Sequence, residues 1–136
     1  LELGYRTSVI PKNGWIVLGA VLQLKKGDQE QILARMEELK EQRITKQPLD
    51  LPSAGSTFKR PEGYFAGKLI MDAGLRGFTV GGAQVSEKHC GFVVNRGNAT
   101  AADVWELICE VKRRVKEMTG VELEPEVKLL GDFPQR

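Results

Sequence analysis

The sequence predicts an α+β protein with a small mixed sheet and flanking helices. Short apolar, β-branched runs typical of strands are interspersed with segments whose apolar residues recur at helical spacing. The two kinds of segment do not follow the strict rhythm of a doubly wound parallel sheet, which favours the α+β class. A length of 136 residues allows one ordinary domain, or one domain with part of another.

The N-terminal third predicts a strand followed by a helix. Residues 15–24 are almost continuously apolar between polar flanks, the pattern of a central strand buried on both faces. Asp28 then provides an N-cap, and apolar residues recur at helical spacing up to about Arg43. This helix has one narrow apolar stripe.

A long irregular segment follows at residues 44–63. Its three prolines and two glycines are too many for a helix or a central strand. Loops of this length more often bind or catalyse than merely connect, although a domain junction is also open. Residues 64–73 then predict a short helix that ends at Gly74.

The C-terminal half predicts three strands and one long helix. Residues 78–85 and 90–94 form the first two strands, with the glycines at 81–82 marking a bulge or a close backbone approach. The last strand covers residues 121–130 and is interrupted at Pro125.

The long helix has recognisable signals at both ends. Thr100 and Asp103 resemble a capping box, and Gly120 provides a left-handed stop. The apolar residues between these ends lie on one helical face.

Composition excludes several function classes. The chain carries 20 Lys and Arg against 18 Asp and Glu, so it lacks the basic excess of a nucleic-acid surface. Its longest apolar run is shorter than the ~20 residues of a membrane helix, and no signal pattern opens the chain, so we expect a cytoplasmic protein. Cys90 and Cys109, with only His89 nearby, predict reduced thiols and no metal site.

The sequence contains no complete glycine-rich nucleotide-binding motif. Residues 63–69 superficially suggest a phosphate loop, but its glycines are separated by three residues and Leu69 replaces the required Ser or Thr. No Gly-x-Gly-x-x-Gly follows a strand, so a self-contained dinucleotide site is not predicted.

Residues 54–61 contain a candidate proton donor. Gly55 lets the backbone approach a ligand and presents Ser56 shortly before two cations. Serine is a weak acid, and it donates a proton only in a preorganised site beside a developing carbanion. Simple turn formation is the alternative.

Other polar residues allow both functional and ordinary roles. Three carboxylates alternate along residues 122–126, as on a solvated edge, and Glu126 is best placed to keep a proton because apolar residues follow it. Arg6 fits a surface ion pair or a clamp for a carboxylate. His89 fits a packed or surface histidine as well as a functional one. The basic run at 112–114 fits a solvated helix face.

Taken together, these segments resemble the C-terminal half of the UDP-N-acetylenolpyruvoylglucosamine reductase family, flavoenzymes of peptidoglycan precursor synthesis. The motifs match in the family's order and cover nearly the whole chain. They are Gly4-Tyr5-Arg6-Thr7-Ser8, Arg43-Ile44-Thr45-Lys46-Gln47-Pro48, Ala54-Gly55-Ser56-Thr57-Phe58-Lys59-Arg60-Pro61, Ala66-Gly67-Lys68-Leu69-Ile70, Gly81-Gly82-Ala83-Gln84-Val85-Ser86 and Leu123-Glu124-Pro125-Glu126-Val127-Lys128-Leu129-Leu130-Gly131.

The resemblance implies an FAD that takes hydride from NADPH and passes it to the enolpyruvyl ether of UDP-N-acetylglucosamine enolpyruvate. Ser56 matches the serine that donates the proton, and Glu126 the glutamate at the end of the active site. Arg6 matches the arginine near flavin and substrate carboxylate, and with Tyr5 it is the expected cofactor contact. The positions expected near the UDP-sugar are Lys46, Arg60, Arg76, His89 and Lys128.

Three features depart from the family pattern. His89 stands where relatives can carry glutamine, and Lys128 replaces an arginine, which keeps the charge but loses the planar fork. Residues 24–43 lack the tyrosine-bearing insertion of some members, so the chain resembles the subclass without it.

The resemblance also implies a domain organisation. Residues 1–46 are expected to be the tail of the FAD-binding domain and residues 47–136 the substrate-binding domain. The family's N-terminal flavin-binding portion has no counterpart before Leu1, so we expect the chain alone to be inactive. A freestanding nucleotide-sugar or anion-binding α+β module without redox activity is the alternative.

Overall fold

Four helices and four strands form within residues 1–133, the part of the chain that the computed structural model describes. In chain order they are α1 (Val9–Lys12), α2 (Gln29–Lys46), β1 (Ser53–Ser56), α3 (Ala66–Asp72), β2 (Thr79–Val80), β3 (Ala83–Val85), β4 (Phe92–Asn95) and α4 (Ala101–Thr119). The chain divides into two compact units, Leu1–Arg35 and the residues from Met36 onward. The predicted α+β class is confirmed.

One prediction for the first unit is wrong: residues 15–24 form no strand. Their side chains are largely exposed, with Leu18 at 97% and Val21 at 100%. A strand needs neighbouring strands to pair with its N–H and C=O groups, and no described segment supplies one here. The apolar pattern predicts a burial that residues 1–133 do not provide.

Helix α2 begins at the predicted residue and ends about one turn beyond the predicted end at Arg43. The Asp28 carboxylate accepts the Gln31 N–H at 2.9 Å, as expected of an N-cap. None of its residues is buried. Its apolar stripe is therefore exposed along the whole helix.

The sheet has the order β1-β4-β3-β2, and all its ladders are antiparallel. This corrects the predicted mixed sheet: the two-residue link between β2 and β3 is a hairpin, whereas parallel pairing needs a long crossover. The strand predicted at residues 78–85 is that hairpin, folded at Gly81 and Gly82.

The strand that sequence reasoning missed is β1, which lies in the proline-rich segment. It pairs with β4 at the sheet edge, where a proline at position 52 is tolerated because the edge needs fewer N–H donors. The predicted last strand is reduced to one antiparallel bridge between Phe58 and Pro125. Pro125 has no N–H to donate, so a full ladder cannot form there.

The core of the second unit lies between α4, α3 and the sheet. One face of α4 is completely buried, at Leu107, Ile108, Val111 and Val115. Each such side chain contributes roughly 1.5–3 kcal/mol of burial free energy. This packing holds the sheet rigidly, and the loops that lead into β4 and out of β1 are fixed with it.

The capping box at the start of α4 yields a first expected result. Thr100 accepts the Asp103 N–H at 3.1 Å, and the Asp103 carboxylate accepts the Thr100 N–H at 2.9 Å. Replacing Thr100 with alanine should lower the free energy of unfolding by about 1 kcal/mol, measured by urea denaturation. The matched control is Thr45→Ala in α2, which should cost nothing because alanine favours helix. Equal losses in both variants would contradict the cap.

Candidate functional site

A cavity of about 390 Å³ opens where β1 ends, bounded by the start of α3 and the loop before β4. Its wall includes a hydroxyl, an imidazole and four cationic side chains. These residues are Ser56, Arg60, Lys68, Arg76, Lys88 and His89. Ser56, Arg60, Arg76 and His89 are among the site residues expected from sequence, and the fold brings them to one place.

The cations give the cavity its electrostatic character. Arg60 lies over the Phe65 ring at 4.0 Å, which holds its guanidinium in position through a cation–π contact. Arg76 donates to the thioether sulfur of Met71 at 3.3 Å, a weak acceptor that a phosphate oxygen would readily replace. The arrangement suits an anionic group such as a diphosphate.

Two of these cations were not among the residues expected from sequence. Lys68 pairs with Asp72 one helical turn away, with the two charged atoms 2.8 Å apart. Lys88 donates to the Ile44 carbonyl at 2.6 Å, at the end of α2. The sequence did offer hints to both residues. Lys68 follows Gly67 within a motif that matches the family, and Lys88 directly precedes His89. Only the fold shows that both reach the cavity.

Ser56 ends β1 on a fixed backbone. The next residue, Thr57, donates its N–H to the Gly91 carbonyl at 2.8 Å, and its hydroxyl accepts the Val93 N–H at 2.9 Å. The Ser56 hydroxyl itself makes a long contact of 3.5 Å with the Phe58 carbonyl. The backbone is thus rigid while the hydroxyl remains able to turn towards a ligand.

The three alternating carboxylates have different surroundings. Glu122 lies 3.0 Å from the Lys116 ammonium, and the hydrogen bond from Lys116 holds the pKa of Glu122 below its usual value. Glu124 forms an ion pair with Lys59. Both side chains therefore pair with lysines at the surface, as the solvated-edge interpretation predicts.

Glu126 differs from the other two because its Oε2 atom is buried. Its N–H donates to the Thr57 carbonyl at 2.8 Å, next to Ser56 in sequence. The backbones that carry the candidate donor and the candidate acid therefore run side by side. Glu126 is not on the cavity wall formed by the described residues, and its catalytic role remains a prediction.

The remaining expected positions lie elsewhere. Lys46 ends α2 and is exposed, and Lys128 follows the Pro125 bridge; neither contributes to the cavity wall within residues 1–133. Tyr5 and Arg6 belong to the first unit, where the Arg6 guanidinium lies 5.6 Å from the centre of the Tyr5 ring. Arg6 has a φ of 52°, a left-handed conformation that costs energy for a non-glycine residue.

The described residues form neither a metal-ligand cluster nor a membrane-spanning helix. Within residues 1–133 no group of three or more His, Cys, Asp or Glu side chains is arranged to hold a metal ion. No described helix is both long and apolar enough to cross a membrane. Cys90 and Cys109 are free thiols.

A small antiparallel sheet covered by α4, with a cation-lined cavity beside Ser56, defines an α+β domain of the kind that accommodates an anionic ligand. The chain belongs to the UDP-N-acetylenolpyruvoylglucosamine reductase family. Residues 47–130 match the family's C-terminal domain. The resemblance stated from the sequence motifs is confirmed.

Similar proteins agree with this assignment. The chain is 67% identical over 132 residues to the UDP-N-acetylenolpyruvoylglucosamine reductase of Lachnoclostridium phytofermentans, covering 97% of this chain and 43% of that protein. It is 62% identical to the enzyme of Agathobacter rectalis, covering 98% and 42%. The crystal structure of the Thermus caldophilus reductase (MurB) superposes with a TM-score of 0.74 at 44% identity, covering 93% of this chain and 45% of that one. The chain thus spans less than half the length of these relatives.

Proposed function

We propose that this chain is the C-terminal part of a cytoplasmic enzyme that reduces UDP-N-acetylglucosamine enolpyruvate to UDP-N-acetylmuramate in peptidoglycan precursor synthesis. NADPH is the reductant and FAD carries the hydride. The observation that carries the proposal is the convergence of Ser56, Arg60, Arg76 and His89 on one cavity. The names of the similar proteins support the same reaction.

The domain organisation is part of the proposal. Residues 1–46 are the tail of an FAD-binding domain, and residues 47–136 are the substrate-binding domain. The family match that begins at residue 47 supports this division. The exposed apolar side chains of residues 15–24 support a sheet completed by strands outside this chain. The chain alone is therefore inactive.

Tyr5 and Arg6, the residues proposed to contact FAD, form a small contact surface. The Tyr5 ring is 65% exposed, and its Arg6 neighbour presents a guanidinium beside it. A planar ring and a guanidinium suit the edge of a flavin, and the wall of the Ser56 cavity includes neither residue. The resemblance assigns most of the FAD site to the N-terminal portion of the family's enzymes. Bound FAD supplies hydride for the methylene carbon of the enolpyruvyl group.

The chain's own residues orient the substrate and deliver the proton. Arg60 and Arg76 hold the diphosphate through their guanidinium groups, and His89 donates a hydrogen bond to it. Lys46 and Lys128 lie outside the described cavity wall and are assigned to the UDP-sugar from the resemblance. Arg6 clamps the substrate carboxylate through its guanidinium fork.

Proton transfer completes the reaction. Reduction at the methylene carbon leaves negative charge on the neighbouring carbon and its carboxylate, and the Ser56 hydroxyl gives its proton to that carbon. Glu126, whose Oε2 atom is buried, stabilises the same charge in its protonated form. The charge left on the Ser56 oxygen is offset by the cations of the cavity wall until solvent returns a proton.

The test uses the full-length protein that contains this chain. Substrate-dependent loss of NADPH absorbance, together with UDP-N-acetylmuramate identified by mass spectrometry, is the expected result. UDP-N-acetylglucosamine without the enolpyruvyl group is the matched control and should give no turnover. Binding of the substrate without any NADPH oxidation would contradict the proposal and favour the freestanding binding module, which no comparison supports.

A further inference from the structure

We propose that Gly67 and Gly91 form a slot that fixes His89 in one tautomer, so that its Nε2–H is a dedicated donor to an acceptor oxygen of the ligand. This proposal rests on the proposed function, because the ligand is the nucleotide-sugar of the Ser56 cavity. It identifies the ring nitrogen of His89 that binds the ligand and the contacts that fix its tautomer.

The slot is the space that a side chain at position 67 or 91 would fill. A Cβ added at Gly67 would lie 3.3 Å from His89 Cε1 and 3.2 Å from the Gly91 nitrogen. A Cβ added at Gly91 would lie 3.0 Å from His89 Cε1 and 3.1 Å from Nδ1. Both glycines therefore leave room for the same edge of the imidazole ring.

The third side of the slot is aromatic. The Phe92 ring meets the His89 ring edge to face, with centroids 5.0 Å apart and an interplanar angle of 73°. The backbone of the loop is also tied down, because the His89 N–H donates to the Ser86 hydroxyl at 3.2 Å and the Phe92 N–H to the His89 carbonyl at 3.0 Å. The ring is thus held in place although it lies at the surface.

The tautomer follows from one hydrogen bond. The Gly91 N–H donates to His89 Nδ1 at 3.1 Å, and a backbone N–H can only donate. Nδ1 must then be the acceptor nitrogen, and in a neutral imidazole the hydrogen is on Nε2. No residue within 1–133 accepts a hydrogen bond from Nε2.

Ligand selectivity follows from this assignment. A ring fixed in this way can donate at Nε2 but cannot accept there. A phosphoryl, carbonyl or hydroxyl oxygen at that place can accept the Nε2–H hydrogen bond, whereas a ligand N–H there would face a second donor. His89 is therefore a specificity-determining residue that favours an acceptor oxygen.

Two substitutions of His89 in the full-length enzyme test the contributions of its two ring nitrogens separately. His89→Asn keeps an oxygen near the Nδ1 position and removes the Nε2 donor, and it should raise KM about 10-fold or more, with a smaller effect on kcat. His89→Gln places an amide N–H near the Nε2 position and should recover most of that loss. Similar KM values for wild type and His89→Asn would overturn the proposal.

Gly67→Ala tests the slot without touching His89. Alanine favours the helix α3, but its Cβ would lie 3.2 Å from the Gly91 backbone nitrogen, so we expect a small fall in the thermal midpoint. KM should rise several-fold because the ring is displaced. An unchanged KM in the folded variant would show that the slot does not position the ring.

Nitrogen-15 correlation spectra read the tautomer directly. The His89 signals in the full-length protein are assigned by their loss in His89→Gln, and we expect hydrogen on Nε2. Hydrogen on Nδ1 in a wild-type enzyme that turns over would reject this inference alone. A wild-type enzyme that does not turn over with the enolpyruvyl substrate would instead reject the proposed function.

Discussion

Replacing Ser56 with alanine in the full-length enzyme should lower kcat by about 10²–10⁴-fold, the usual contribution of a positioned proton donor. The hydroxyl has only a long contact to the Phe58 carbonyl, so its removal should leave the fold and substrate binding nearly unchanged. The loss should therefore fall on kcat and leave KM within a small factor. Stopped-flow measurement of substrate-dependent flavin reoxidation isolates this step from reduction by NADPH.

Two further variants control this result. Ser53→Ala removes the other serine of β1, whose hydroxyl accepts the Gly55 N–H at 3.0 Å away from the cavity, and it should change kcat by less than about threefold. Ser56→Cys keeps a proton donor at the position and should retain more activity than Ser56→Ala. A loss of less than about tenfold in Ser56→Ala would show that another group supplies the proton.

Replacing Gly82 with alanine should destabilise the protein by about 3 kcal/mol or more, the upper range for overpacking. A Cβ at Gly82 would lie 2.5 Å from the Ala99 nitrogen and 2.8 Å from its Cα. These are backbone atoms at the entrance to α4, and they cannot turn aside as a side chain would. The Gly82 carbonyl also accepts the Arg96 N–H at 2.9 Å, which holds the hairpin against that backbone.

The matched control is Gly74→Ala. Gly74 has a φ of 70° with nothing within 4 Å of an added Cβ, so alanine there meets backbone strain without a collision. Its cost should be about 1–2 kcal/mol in the same urea titration. If Gly82→Ala costs no more than this control, the close approach of the hairpin to α4 is not a constraint on the fold.

Local signals predicted three of the four helices, whereas α1 has no counterpart among the sequence predictions. Thr100, Asp103 and Gly120 act within a few residues of one another, so the bounds of α4 could be read from the sequence. The strands depend on partners far away in the chain. Residues 15–24 have the composition of a strand but no partner here, whereas β1 has a weak pattern and pairs with β4.

Four of the nine site residues expected from the sequence lie on one cavity wall, and the roles of all nine stay predictions. The motifs pointed to Ser56, Arg60, Arg76 and His89, and the fold places all four on one cavity. Lys88 escaped sequence reasoning because its contact with Ile44 spans 44 residues. No local pattern could indicate that contact.

The exposed residues 15–24 have a consequence for how this polypeptide behaves in solution. Ten residues with high β-propensity, no charge and no proline have the composition of segments that stack into intermolecular sheets. Lys25 and Lys26 follow directly, and such flanking charges act as gatekeepers that slow self-association. Because these residues are exposed, we expect the chain to self-associate increasingly as its concentration rises.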